Sequence, residues 1–477
     1  MLRRIFDIII CKVLDNFFVF PANFMKGISP NRGQNHFFDS GLMELINPKH
    51  QLCLLADKID WDGFEAEFAP LYSDKGCRAK PIRLMTGLLI LKQVYNLADE
   101  TVMDEWVSNP YFQYFCGEVM FQWEFPCDPS DLVHFRHRIS ESGVEKIFAV
   151  SILVHGEKVL SEAVSIDTTA QPKNITYPTD TKLAIRIIKK CRKMAEDEKV
   201  EVRQSYTFRV KQLLLMANSK SRKKGKERVA ARRKIKTIAS RLVRELRRKL
   251  GLDISGQQHR RLEIFEKVLT QKKDDKDKIY SLHALEVGCI AKGKDDKKYE
   301  FGSKVSFSTA QKSNVIVAAV NFKGNPNDNK TLEKTLDQQE RMTGVRAKKA
   351  YVDRGYQRQE IGGTQVSSPS NGVGKTASQK ATMRKHFRRR AAIEPIIGHA
   401  KSDYGMDRNY LKGEVGDAIN AMLAASAFNF KSWMRKAAGG LIFVINYLKW
   451  CVKQWRISTI KRFASDLSVS FLKAISA

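Results

Sequence analysis

Phe387-Arg388-Arg389-Arg390-Ala391-Ala392-Ile393-Glu394-Pro395-Ile396-Ile397-Gly398-His399-Ala400-Lys401 decides how this chain is read. Phe387, Arg390, Glu394 and Lys401 follow one another at spacings of three, four and seven. On an α-helix those offsets return to nearly one face. The helix then carries Arg390, Glu394 and Lys401 as a stripe, one carboxylate between two cations. A carboxylate can ligate a divalent ion, and flanking Arg and Lys can hold phosphate oxygens beside it. Such a stripe suits the cutting of a phosphodiester backbone. The same spacing also serves a surface ion-pair ladder.

Two further carboxylates bear on that choice. Ala163-Val164-Ser165-Ile166-Asp167-Thr168-Thr169 predicts a short apolar strand with an Asp at its carboxyl end. The stretch from Ala347 to Tyr356 predicts another strand, ending in Asp353, with Gly355 to turn the chain away. A sheet fixes the spacing of such strand ends, so their carboxylates can converge on a shared ion. Singly, each reads equally as a turn or helix-capping Asp. Three acids in order, with cations beside the third, favour a metal site.

These stretches resemble the DDE transposases of bacterial insertion sequences, in the broad group that includes insertion sequence five. Asp167, Asp353 and Glu394 match that family's three metal-binding acids. Phe387, Arg390, Glu394 and Lys401 match its Tyr-x2-Arg-x3-Glu-x6-Lys motif, with Phe387 keeping the ring of the usual Tyr but not its hydroxyl. Lys298-Tyr299-Glu300-Phe301-Gly302, Gly324-Asn325-Pro326-Asn327-Asp328 and Asn109 to Phe115 resemble the group as well. So does Ser281 to Val287, although Leu285 stands where Pro is expected. The likeness runs from about residue 25 to 430.

The resemblance implies an α/β fold: an RNase H-like mixed sheet core with a helical amino-terminal DNA-binding domain and a basic helical insertion. It implies hydrolytic nicking at the element's ends, then attack of the freed 3′-hydroxyl on target DNA. Two Mg²⁺ ions, with Mn²⁺ able to substitute, suit the hard oxygen ligands. Asp167 is expected to bridge both ions, with Asp353 and Glu394 completing one shell each, and Arg390 and Lys401 to hold DNA phosphates. The partners expected are double-stranded DNA, as terminal inverted repeats and target, and a second copy of the chain, because two ends must be cut together. Asp328 is read as structural. Two rivals stay open: a nuclease of the same fold that stops at hydrolysis, and a transposase-derived DNA-binding protein that no longer cuts.

The 477 residues carry a formal net charge of +31. That charge calls for a polyanion, with nucleic acid the natural partner and a membrane surface the second choice. Affinity for a nucleic acid should then fall steeply with salt. Eight cysteines are scattered without a C-x-x-C pair, which argues against a zinc ribbon or disulfide scaffold and fits a reducing cytosol. His134 and His137 sit one helical turn apart near Cys127 without a fourth ligand, and are read as structural. Asp7, Lys12 and Asp15 interrupt the apolar run from Ile5 to Phe20, and Gly440 to Val452 is too short to span a bilayer. No membrane segment is therefore expected, and the chain is placed in the bacterial cytoplasm with the nucleoid. Met25 is expected to be the true start, with residues 1–24 an upstream extension.

Residues 25–150 are expected to form the helical DNA-binding domain, with helices from Arg83 to Tyr95, from Ala98 to about Asn109, and from Asp131 to Ile139. The third bears Arg136 and Arg138 as DNA-binding candidates, and a helix-turn-helix reader and a plain helical scaffold both fit. Residues 155–435 are expected to hold the catalytic core, with strands at Glu300–Thr309 and Val315–Asn321 and a helix from Thr331 to Thr343. The helical insertion spans 181–278, and 436–477 form a helical tail. From Lys220 to Lys249 there are fifteen Lys or Arg against two Glu. That density predicts a helix cationic on nearly all faces, or a solvated coil. Lys234, Arg241, Arg244 and Arg248 are its candidate phosphate contacts. Gly362 to Lys380 reads as a mobile loop leading to Glu394.

Overall fold

A computed structural model describes residues 41–73, 78–159, 162–251, 255–272, 274–291, 298–356, 360–369 and 376–439. The expected extension 1–24, the apolar run 440–452 and nearly all of the tail lie outside these residues. The described chain gathers into two units. One holds residues up to 159 with 312–316 and 423–439; the other holds 162–311 and 317–422.

The first unit is helical: α1 (Leu42–Leu45), α2 (Gln51–Lys58), α3 (Trp61–Phe68), α4 (Ile82–Val94), α5 (Asp99–Ser108), α6 (Pro110–Phe115) and α7 (Pro129–Leu153). α4 is buried around nearly its whole circumference, which makes it the unit's central helix. Trp106, Phe64, Phe68, Phe115, Phe135 and Phe148 fill the core. A capping box between Asp128 and Asp131 starts α7. Its regular course ends after Ile139, where Ser140 takes φ 55°. The amide of Asn429 accepts from the Ile316 N–H and donates to its carbonyl, both at 2.9 Å, holding 312–316 in this unit.

Arg136 does not face solvent. It is 6% exposed and its guanidinium is bidentate to Asp99, at 2.8 and 2.6 Å. A guanidinium so committed cannot also serve a phosphate, so Arg136 leaves the set of DNA candidates. The sequence showed a basic helix but not which cation turns inward. Arg136→Ala is expected to lower stability by about 2 kcal/mol, since Asp99 keeps Lys92 at 3.4 Å. Urea denaturation measures this, and DNA affinity should not change. Arg138 is exposed and stacks over Tyr72 at 4.3 Å.

The second unit is built on a mixed sheet of β1 (Ala163–Pro172), β2 (Gly288–Ala291), β3 (Tyr299–Ala310), β4 (Ile316–Phe322), β5 (Lys349–Tyr351), β6 (Glu360–Ile361) and β7 (Thr364–Ser367). The order is β2-β3-β1-β5-β7-β6, with β4 also on β3, and α12 (Leu332–Thr343) lies between β4 and β5 in the chain. β1 runs antiparallel to β3 and parallel to β5, and β5 runs parallel to β7. This mixed α/β arrangement is the expected RNase H-like core. Gly302 is obligatory here, because a Cβ would stand 1.9 Å from the Gln171 carbonyl oxygen on β1. The expected loop from Gly362 is instead a hairpin: Gly362 and Gly363 both take positive φ between β6 and β7. Residues 370–375 of that stretch lie outside the described ones.

Four insertion helices follow β1: α8 (Asp180–Asp197), α9 (Thr207–Ala217), α10 (Gly225–Leu250) and α11 (Gly256–Thr270). They enclose a core of their own, including Leu183, Ile187, Ile235, Leu242, Leu262 and Phe265. α10 is therefore not cationic all round. Ala231, Ile235, Ile238, Leu242 and Leu246 recur at helical spacing and are buried. Counting charges over the segment averaged this stripe away. Tyr177 and Tyr280, at the two ends of the insertion, both pack on Phe301 of β3, at 5.3 and 5.2 Å.

Candidate active site

Asp167 lies in the middle of the ten-residue β1, not at the end of a short strand as expected. The strand continues because Thr168 to Pro172 keep pairing with β3. Parallel pairing sets Ala163 beside Lys349 and Ser165 beside Tyr351. The pairing ends there; the same register continued for two residues would set Asp167 level with Asp353, two residues past the end of β5. Residues level on neighbouring strands stand about 5 Å apart and point to the same face. The Asp167 carboxylate accepts from the Thr168 N–H at 2.9 Å, and the Asp353 carboxylate from the Arg354 N–H at 2.7 Å.

The stripe from Phe387 to Lys401 is not one helix. α13 (Ala377–Arg390) ends at Arg390, and α14 (Ile393–Ser402) begins after a tightened turn. Pro395 accounts for the break: it has no N–H to offer the Ala391 carbonyl, and its ring crowds that oxygen. Glu394 consequently falls in the first turn of α14, where the helix dipole favours a carboxylate. The cations separate as well. Arg390 places Nη2 3.8 Å from the Asp167 carboxylate, whereas the Lys401 ammonium lies 3.6 Å from Glu300 on β3. Phe387 meets Tyr351 of β5 edge to face at 5.6 Å, and His386 stacks on the same ring at 4.5 Å. The ring at 387 thus docks α13 against the strand that leads to Asp353.

Burial pushes the Asp167 carboxyl up to about 6. Arg390 and the Thr168 N–H pull against this, and the carboxylates of Asp353 and Glu394 add to it. Asp353 and Glu394 are therefore each near enough to Asp167 to repel its carboxylate. Hard oxygen donors that repel when ionised have the chemistry to take a divalent cation. Among the described residues, however, no three His, Cys, Asp or Glu side chains stand close enough together to hold an ion as they are. Asp353 and Glu394 are both exposed, so their side chains are free of packing constraints. Arg390 Nε is buried and has no hydrogen-bond partner among the described residues.

A second layer supports Asp167 from below. The Thr168 hydroxyl donates to Asp328 at 2.9 Å, and Lys304 pairs with the same carboxylate at 2.6 Å. Buried Tyr356 sits beside this group, its hydroxyl raised by desolvation and by Asp328 and Asp167. Lys304 and Tyr356 were not singled out by sequence; the alternation of β3 placed Lys304 on a strand but not its partner. At the far end of β1, Lys173 is buried between Glu286 (2.9 Å) and Asp417 (2.7 Å), which ties down the stretch from Ser281 to Val287.

Comparison with known proteins bears directly on this site. The family described as Transposase DDE domain matches residues 275–430, a range that contains Asp353, Arg390, Glu394 and Lys401. The family described as Transposase domain (DUF772) matches residues 40–138. An uncharacterized protein, ORF8 in the nfe locus of Rhizobium meliloti, is 37% identical over 198 residues, covering 40% of this chain and 96% of the relative. The chain belongs to the DDE transposases of bacterial insertion sequences. No solved structure matches it. In this transposase Asp167 and the four insertion helices lie outside both matched ranges, and β1, which carries Asp167, pairs in parallel with β5, the strand before Asp353. Among the described residues no helix is long and apolar enough to cross a membrane.

Proposed function

We propose that this transposase binds the ends of its insertion element and catalyses Mg²⁺-dependent strand cleavage followed by strand transfer. Asp167, Asp353 and Glu394 would hold two divalent ions, which supply an acidified nucleophile and charge neutralisation at the leaving oxygen. The observation that supports this most is that the charges of Asp353 and Glu394 are both felt at Asp167, whose strand pairs in parallel with the one leading to Asp353. Arg390 holds Asp167 in place and offers its guanidinium to the phosphates of the cut strand. Lys401 is assigned the neighbouring phosphates, and Phe387 keeps α13 docked for both. Membership of the insertion-sequence-five group belongs to the same proposal.

Exposed Arg138, Lys234, Arg241, Arg244 and Arg248 are the proposed outlying DNA contacts. Each phosphate they neutralise steepens the loss of affinity with salt. Because both ends must be cut together, the active species is proposed to be a dimer on DNA, in the bacterial nucleoid. The test is to supply DNA carrying the element's ends with Mg²⁺ and the purified chain. Nicked ends joined to target DNA are the expected products. Hydrolysis without joining would show a nuclease instead, and no nicking in Mg²⁺ or Mn²⁺ would leave only a DNA-binding protein.

A further inference from the structure

The insertion holds a groove of about 710 Å³ that the acids do not use, formed by residues 204–209 at the start of α9 and by one side of α10. This volume is in the range that accepts a small ligand or a short piece of a polymer. Phe208 lines it and is 73% exposed, while the insertion's other phenylalanine, Phe265, is 3% exposed in the core. Arg209, Lys234 and Arg241 line the same groove, with no Asp or Glu among its walls. Arg209 donates only to the neutral Gln212, and neither Lys234 nor Arg241 makes an ion pair among the described residues. Two cations at the far end of α10 are paired instead, Arg247 with Glu266 and Lys249 with Glu245. Among the described residues the groove's positive charge is uncompensated, and it faces an exposed aromatic ring.

Tyr206 fixes that geometry. It takes φ 54°, a left-handed conformation that is costly for a residue with a Cβ, and packs against the insertion core just before Phe208. Three cations and one ring suit a chain of phosphates carrying bases whose faces are bare. A duplex hides those faces in its own stack. We propose that this groove binds an unpaired DNA strand, a base stacking on Phe208 and phosphates on Arg209, Lys234 and Arg241. The proposal rests on the transposase reading above and adds to it a site for strands released from pairing near a cut.

The test measures binding of the full chain to a short oligothymidylate and to a hairpin duplex, by fluorescence anisotropy across a salt series. Phe208→Ala is expected to weaken oligothymidylate binding about 5- to 150-fold and leave duplex binding within about twofold. Phe208→Trp should restore the loss. Lys234→Gln with Arg241→Gln should flatten the salt slope for the single strand by about 1.4. Equal loss on both ligands, or none on oligothymidylate, overturns the proposal and leaves the transposase reading standing. Tighter binding of a matched ribo-oligonucleotide overturns the assignment to DNA. A wild-type chain that binds neither ligand overturns the proposal and the transposase reading together.

Discussion

Asp353→Asn is expected to lower strand cleavage by about a thousandfold or more while DNA binding stays intact. The change keeps the shape of the side chain and its hydrogen bond from the Arg354 N–H, but removes an anionic oxygen donor. Asp353 is exposed, two residues past the end of β5, so the fold loses no buried contact. Several kcal/mol of transition-state stabilisation then disappear without a change in stability. A gel assay for nicked ends, run beside a binding assay on the same DNA, separates the two effects. If cleavage survived, Asp353 would not belong to the reacting centre, whatever its register with Asp167.

Asp167→Asn should make the protein more stable at neutral pH. The folded Asp167 carboxyl titrates near 6, against 3.8 for an ordinary Asp, chiefly because β1 buries it. Between those values the native chain holds a proton that the unfolded chain has released. Stability contributed by this group is therefore present below about pH 4, falls as pH climbs through 6, and levels off above. Two pKa units correspond to about 3 kcal/mol. The amide, uncharged like the protonated acid, escapes that cost; the value near 6 already includes the pull of Arg390, so a gain of about 3 kcal/mol at pH 7.5 is expected, vanishing at pH 4. Urea melts at the two pH values measure it. Added Mg²⁺ should stabilise the wild type and not Asp167→Asn. A variant less stable than wild type at pH 7.5 would contradict this account of the site.

What the sequence made legible was local. β3, β4 and the helix before β5 follow from alternation and helical spacing, and they fall within a residue or two of expectation. Strand pairing is long-range and leaves no mark in a window of residues, so the parallel pairing of β1 with β5, the strand that leads to Asp353, could not be read. Pro395 stands next to Glu394, and its effect on the Ala391 carbonyl breaks the single helix that the even spacing of the stripe suggests. Gly362-Gly363 looked like a loop because two glycines fit a loop and a two-residue hairpin turn equally well. Burial misled in both directions. Arg136 is inside although its helix is basic, and α10 has an apolar stripe although its composition is overwhelmingly cationic.

The three acids meeting around shared ions is the claim on which the rest depends. Anomalous scattering from Mn²⁺, in crystals of the protein bound to a cleaved DNA end, addresses it most directly. Two peaks are expected, both touched by Asp167, with Asp353 on one and Glu394 on the other. Peaks elsewhere, or an ion that reaches none or only one of these carboxylates while the DNA end is seated, would contradict it.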